Sequence, residues 1–387
     1  MIAKLHNSIQ HYAWGSQNYI QDLIGAPCED VMAEMWMGAH HQSPSMVEVD
    51  DGEIALDQVL KTHPEYLGDA SERFDELPFL FKLLAAGQAL SIQAHPDKES
   101  AEAGFARENA AGIDLFAAHR NYKDDNHKPE IICALTEFWG LNGFRPIDEI
   151  LTKMSDAVGI SLANEIEKFA KDPSREGLKV FYREILTLET DKSQVMLDEL
   201  LKSAEQNSAQ IDYEWVLRVN KQYPGDPSVI SVLLLNLIKL NPGEAMFCGA
   251  GDLHSYLSGF GVELMANSNN VLRGGLTVKH IDRDELLKNL SFNSGNPRII
   301  QADERNENES VYPADVTEFC LSKIILTETD YTASDSSFSI YICTEGQFKI
   351  NGELHINQGM SFLNTAGETV QISGKGCLFR ASIPLNK

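Results

Sequence analysis

A chain of 387 residues exceeds what one ordinary hydrophobic core supports, so two or three domains are expected. Hydrophobic residues at 43% and charged residues at 23% are those of a globular protein that folds in water. A net charge of −25 excludes broad binding to nucleic acid, because a phosphate backbone would be repelled, and it makes any local group of cations informative.

Along the first 145 residues, short strand-like runs alternate with turns: Ile54–Leu56, Phe79–Leu84, Ala89–Ile92 and Ile131–Leu135. After Pro96 the stretch Lys98–Asn109, rich in Ala and Glu, predicts a helix. From about Ile147 to Tyr223 apolar residues recur at spacings of three and four, as in Leu178, Phe181, Tyr182 and Ile185. Asp172-Pro173-Ser174 and Pro224-Gly225-Asp226-Pro227 punctuate this helical insertion. Val229–Ile238 is apolar without a decisive period and reads as helix or strand. The tail from Val316 is β, with Phe338–Cys343, Phe348–Ile350 and Leu354–Ile356 separated by turns at Glu345-Gly346 and Asn351-Gly352. Close-set strands of this kind indicate a sandwich or jelly roll.

Six cysteines, Cys28, Cys133, Cys248, Cys320, Cys343 and Cys377, are irregularly spaced, which excludes a disulfide framework and a cysteine-built zinc site. Met1–His6 lacks the core of a signal peptide, and Val229–Leu240, interrupted by Asn236 and Lys239, is too short to span a bilayer. A cytoplasmic monomer is expected, with neither membrane nor nucleic acid as a partner.

Three segments carry chemistry. Gln93 and His95 are two apart, so on an extended strand both leave one face, and polar groups there need a partner. In His127-Lys128-Pro129-Glu130, Lys128 and Glu130 share a face and His127 points away. His254 follows the glycine turn of Gly249-Ala250-Gly251-Asp252 at the mouth of a strand. One Gln, one Glu and two His form a nitrogen and oxygen set that suits zinc, with a position open for water or substrate. The other eight histidines, His40 and His41 among them, read as ordinary core or surface residues. Tyr256 lies two residues past His254 on the same face and Glu263 nine past it. Arg273 stands before Gly274 and Gly275, where an arginine in so acidic a chain suggests an anionic ligand or a developing oxyanion.

These segments, with Tyr12–Ser16, Ala33–His40, Ser91–Lys98, Asn126–Glu130, Gly249–Tyr256 and Asn270–Thr277 in order, closely resemble the type I phosphomannose isomerase family over nearly the whole chain. The resemblance implies a mainly β protein built of two cupin-type jelly-roll β-barrels plus an α-helical domain. Its divisions would be residues 1–145 with 226–316 as a discontinuous zinc domain, 146–225 as the helical insertion, and 317–387 as a C-terminal β domain. Gly243–His254 also resembles the second cupin motif. The implied activity is zinc-dependent aldose–ketose isomerisation between mannose 6-phosphate and fructose 6-phosphate, through an enediol, with one zinc per chain and a sugar phosphate as partner. The family's ligands fall on Gln93, His95, Glu130 and His254, and its signature arginine on Arg273. Glu263 and Lys128 fall at catalytic positions; Lys82, Ser91, Tyr256, His127 and Asn269 fall at substrate-binding ones. Glu263, Lys128 and a zinc-bound water all remain open as the proton-transfer base. Asn269 stands where the family commonly has Asp, and Val278 where it has Pro. The alternatives are another cupin metalloenzyme or a non-catalytic sugar-binding cupin; Gln93 and the Arg and Lys set favour the isomerase.

Overall fold

The strand Phe79–Ala86 is buried at all eight positions, Lys82 included, and the architecture follows from what covers its two faces. In a computed structural model describing residues 1–27, 30–50, 52–327, 330–334 and 337–384, it lies inside an 11-stranded antiparallel sheet. One neighbour is Glu34–Met37, with Trp36 opposite Lys82. The other is the long strand His254–Ala266, with Glu263 opposite Lys82. Glu130–Ala134 and Ala245–Cys248 continue the sheet beyond.

His254–Ala266 changes partners along its length. Its second half pairs with Phe79–Ala86 and Glu130–Ala134, and its first half with Phe138–Phe144 and Ile92–Ala94. A register shift between Tyr256 and Ser258 marks the change. Gly259 follows at φ 128°, where a Cβ would come within 2.7 Å of the Glu137 carbonyl oxygen. Only glycine fits that approach.

Because side chains alternate along a strand, the sheet has two distinct faces. Phe79, Phe81, Leu83, Ile131, Val262 and Leu264 pack outward against Ile340, Ile342, Phe379 and Ala381 of a second 11-stranded sheet. Leu84, Ile132, Met246, Cys248 and Tyr256 point inward, and the polar residues of the site share that face. The second sheet draws on the whole chain: Ile2–His6 pairs with Ser361–Asn364 and with Met46–Val49, and Glu309–Tyr312 pairs with Cys320–Leu326. Its other face has an apolar core of its own, around Tyr341, Phe348, Phe362 and Ile372.

The helical insertion comprises Ile147–Val158, Ala163–Lys171, Arg175–Leu186, Thr190–Gln206 and Ile211–Gln222. It packs through Phe181, Tyr182, Leu197, Trp215 and Val216 onto Leu141, Phe144 and Leu272. Arg145 is anchored to its Asp212 at 2.6 Å. The helix expected after Pro96 is present as Lys98–Ala110, capped by Asp97, whose side chain accepts from the Ser100 amide. No described helix is long and apolar enough to cross a membrane, the five described cysteines are free thiols, and Cys28 lies outside the described residues.

Three expectations change. Val229–Ile238 is both kinds of element: a 3-10 turn Pro227–Ile230, a helical turn Ser231–Leu234, then the strand Leu235–Leu240. The strand expected at Ala89–Ile92 begins only at Ile92, because insertion side chains take the backbone of Ala89. Gln222 Oε1 accepts from its amide at 2.8 Å and the Tyr223 hydroxyl donates to its carbonyl at 2.6 Å. Glu345-Gly346 is not a turn but part of the continuous strand Ser339–Ile350. A bulge falls there, and a Cβ on Gly346 would meet the Lys375 carbonyl at 2.0 Å. Asn351-Gly352 does make its turn, both residues having positive φ.

Ile340 is fully buried between the two sheets. Ile340→Ala should lower stability by about 2–5 kcal/mol in urea titration, the cost of a large-to-small change in a shared core.

Candidate active site

Three elements deliver three ligating groups to one point. Glu130 opens its strand with Cys248 and Met265 paired to either side. His254 opens the long strand, and His95 follows Ile92–Ala94. The glycine turn brings the histidines together: the Gly251 amide donates to the His95 carbonyl at 2.9 Å. Gly251 has φ 75°, and a Cβ there would meet the Asn289 carbonyl at 2.6 Å. Among the described residues, His95, Glu130 and His254 are the one group of His, Cys, Asp and Glu able to hold an ion, with ligand atoms within 4.8 Å of one another. Gln93 pairs directly with His254 on one side and Arg273 on the other, so all three side chains leave the same face.

Hydrogen bonds fix both imidazoles. His95 Nδ1 donates to the Asn270 carbonyl at 2.7 Å and His254 Nδ1 to the Asp252 carbonyl at 2.8 Å. A carbonyl only accepts, so each neutral ring carries its proton on Nδ1 and presents the Nε2 lone pair inward. Those lone pairs face Glu130 oxygens at 3.4 Å and 3.0 Å. Lys128 relieves the first, standing 2.6 Å from Glu130 Oε2 and 3.4 Å from His95 Nε2. His254 Nε2 is buried with no hydrogen-bond partner. Acceptor facing acceptor in a buried site is costly unless a cation lies between them, and two imidazoles with a carboxylate are a donor set that zinc favours.

The surroundings set the charges. Burial opposes ionisation of Glu130, but Lys128 outweighs it and holds the carboxyl well below the usual range. Burial and then Lys128 hold His95 down to about 4. Lys82 reaches Glu263 at 3.0 Å and Glu34 at 3.2 Å, with Trp36 against its ammonium. Burial alone would lower Lys82; Glu263 and Glu34 raise it above an ordinary lysine. Burial raises the Glu263 carboxyl, against the pull of Lys82. Tyr256 donates to Glu130 Oε1 at 3.2 Å, and burial, then the Glu130 and Glu263 charges, push its hydroxyl well up. Three buried carboxylates face two buried ammonium groups, so a divalent cation would make the site positive. Half-buried Arg273 adds to that: burial lowers its pKa, and no carboxylate pairs with it among the described residues.

Known proteins of related sequence share this fold. The curated mannose-6-phosphate isomerase of Escherichia coli (strain K12) is 42% identical, covering 97% of this chain and 98% of that one. This chain belongs to the mannose-6-phosphate isomerase family. A family profile described as phosphomannose isomerase type I, catalytic domain, matches residues 2–147. The family member of Rattus norvegicus is 33% identical over 98% of this chain. A crystal structure of an alanine variant of phosphomannose isomerase from Salmonella typhimurium superposes with a TM-score of 0.93 at 37% identity, covering 99% of this chain and all of that one. A zinc-bound holo structure of mannose 6-phosphate isomerase superposes at 0.92, also at 37% identity and 99% coverage.

Of the positions matched to the family, His95, Glu130, His254, Lys128, Tyr256, Glu263 and Lys82 form one connected buried cluster. Gln93 and Arg273 adjoin it through strand register, and Ser91 lies half-buried one residue before its strand. His127 is turned away, its Nε2 2.6 Å from Glu318 Oε1 at the second sheet. Asn269 accepts from His40 Nε2 at 3.2 Å, and its amide donates to Asp124 Oδ2 at 2.7 Å. Sequence reasoning missed Glu34, Asp124 and Asn270 and read His40 as ordinary. Glu34 and Trp36 alternate in Glu34-Met35-Trp36-Met37, a pattern that could have placed them on the inner face. Asp124 and Asn270 offer no such pattern. Asp124 accepts from Ser268, Asn269 and Asn270, fixing the loop whose Asn270 carbonyl orients His95.

His254→Ala removes the imidazole whose Nε2 has no hydrogen-bond partner. It should abolish stoichiometric metal binding by elemental analysis while circular dichroism remains that of the folded chain.

Proposed function

We propose that this protein is a mannose-6-phosphate isomerase that interconverts mannose 6-phosphate and fructose 6-phosphate, with one zinc per chain held by Gln93, His95, Glu130 and His254. The observation that carries the reading is the lone pair of His254 Nε2, buried without a partner 3.0 Å from a carboxylate, on the sheet face shared with an unpaired arginine. Bound zinc supplies Lewis acidity toward the sugar's carbonyl and hydroxyl oxygens.

The rest is the work of this chain's side chains. Moving a proton between C1 and C2 needs a base, and Glu263 is our choice. Its burial makes the carboxylate more basic than usual, and its 3.0 Å contact with Lys82 holds it in place. Lys128, bound to Glu130 Oε2, keeps that carboxylate ionised and is placed beside a developing oxyanion. Arg273 stabilises the enediolate. Lys82, Ser91, Tyr256, His127 and Asn269 complete the substrate site, His127 by holding its loop against Glu318.

We further propose that the two sheets are cupin-type jelly-roll barrels. Residues 1–145 with 226–316 form the zinc domain, 146–225 the helical domain and 317–387 the C-terminal domain, whose sheet strands from the first division complete. A monomer is our reading, acting in the cytoplasm, which accords with the free thiols of the five described cysteines.

A coupled assay supplied with mannose 6-phosphate and read for fructose 6-phosphate tests the activity; no turnover by the zinc-loaded chain would refute it. Arg273→Ala should depress kcat by about a hundredfold or more, the scale of removing one oxyanion donor, with a smaller change in KM. Lysine at 273 should restore only part, because an ammonium lacks the planar fork. An unchanged kcat with a large rise in KM would instead assign Arg273 to the phosphate. Asn269→Asp should change the rate within about tenfold, or roughly 1.4 kcal/mol of barrier. A gain of several orders of magnitude would show that an acid is essential at this position.

A further inference from the structure

Past the two glycines that follow Arg273, the backbone is strained. Leu276 is buried, yet its φ is 52°, a left-handed conformation that a residue with a side chain keeps only where its surroundings over-determine it. Its amide donates to Ser228 Oγ at 2.8 Å. The Ser228 hydroxyl is itself oriented: its proton goes to Asp226 Oδ1 at 2.6 Å, and the Ser228 amide donates to the same oxygen at 2.9 Å. A lone pair is thereby left for Leu276. The fit is close, since a Cβ on Gly275 would lie 2.2 Å from Ser228 Cβ.

Asp226 and Ser228 belong to the segment by which the helical insertion returns to the barrel after Ile211–Gln222. Behind the end of the strand Leu272–Gly275 lies a cavity of about 290 Å³, lined by Tyr182, Ser228, Gly274, Gly275 and Thr277 among others. The Tyr182 hydroxyl is buried there without a partner. The strand end therefore has room on that side, and Ser228 restrains it.

We infer that Ser228 is a positioning residue for catalysis: by holding Leu276 it fixes the bulged, two-glycine end of the strand Leu272–Gly275 that carries Arg273. This rests on the role proposed above for Arg273. Losing the bond should leave the strand end able to relax into the cavity and Arg273 poorly aimed, although no group that touches substrate is removed.

A double-mutant cycle separates the two claims. Kinetics of the zinc-loaded wild type, S228A, R273A and the double variant are compared, with hydrogen exchange at the Leu276 amide. S228A should lower kcat about fivefold, the scale of one lost hydrogen bond, with little change in KM and faster exchange at Leu276. In the R273A background the same substitution should cost nothing further, because the two act as one unit. An additive loss, or an unchanged kcat in S228A, overturns the inference and leaves the role of Arg273 standing; a wild-type kcat in R273A overturns that role itself. Should S228A fail to fold, D226N, which leaves the Ser228 hydroxyl in place and removes the charge that orients it, takes its place in the cycle.

Discussion

The opposition of like partners around Glu130 is the constraint on which the rest of the structure depends. Two imidazoles present lone pairs to one buried carboxylate, and the Nε2 lone pair of His254 has no hydrogen-bond donor. Such an arrangement persists only if the surrounding fold pins each group independently. The Asn270 and Asp252 carbonyls hold the rings, Lys128 and Tyr256 hold the carboxylate, and Asp124 holds the loop behind Asn270. A site prepared in this way is stabilised by a cation and needs no rearrangement to receive it.

The same strands serve two cores. One face of Phe79–Ala86 carries Lys82 and Leu84 toward the site; the other carries Phe81 and Leu83 against the second sheet. Period-two alternation therefore couples the chemistry to the packing. A slip of one residue would exchange the two faces and put aromatic rings where the lysine now stands.

Much of this was legible in the sequence, for reasons that differ by residue. Gln93, His95 and Glu130 announce themselves as polar groups in otherwise apolar runs. The helical insertion announces itself through its three-and-four spacing. His254 depends on a glycine turn, which the sequence also marks. What stayed hidden depends on distant pairing. Glu34 matters because it faces Lys82, and Asp124 because it gathers three residues some 145 positions away. Ala89 misled because side chains more than 130 residues distant take its backbone groups. Gly346 misled because glycine serves a close backbone approach as readily as a turn.

Ile2–His6 lies in the second sheet, paired with Ser361–Asn364. An early segment of the chain must therefore wait for one of the last before either is complete. Until then the outward face of the first sheet, with Phe79, Phe81 and Leu264, lacks the cover of Ile340, Ile342 and Phe379, even though every residue around Glu130 has already been synthesised. Non-local pairing of this kind slows folding and exposes apolar surface on the way. A nascent chain would thus hold its complete metal-binding set before the second sheet that covers it can close.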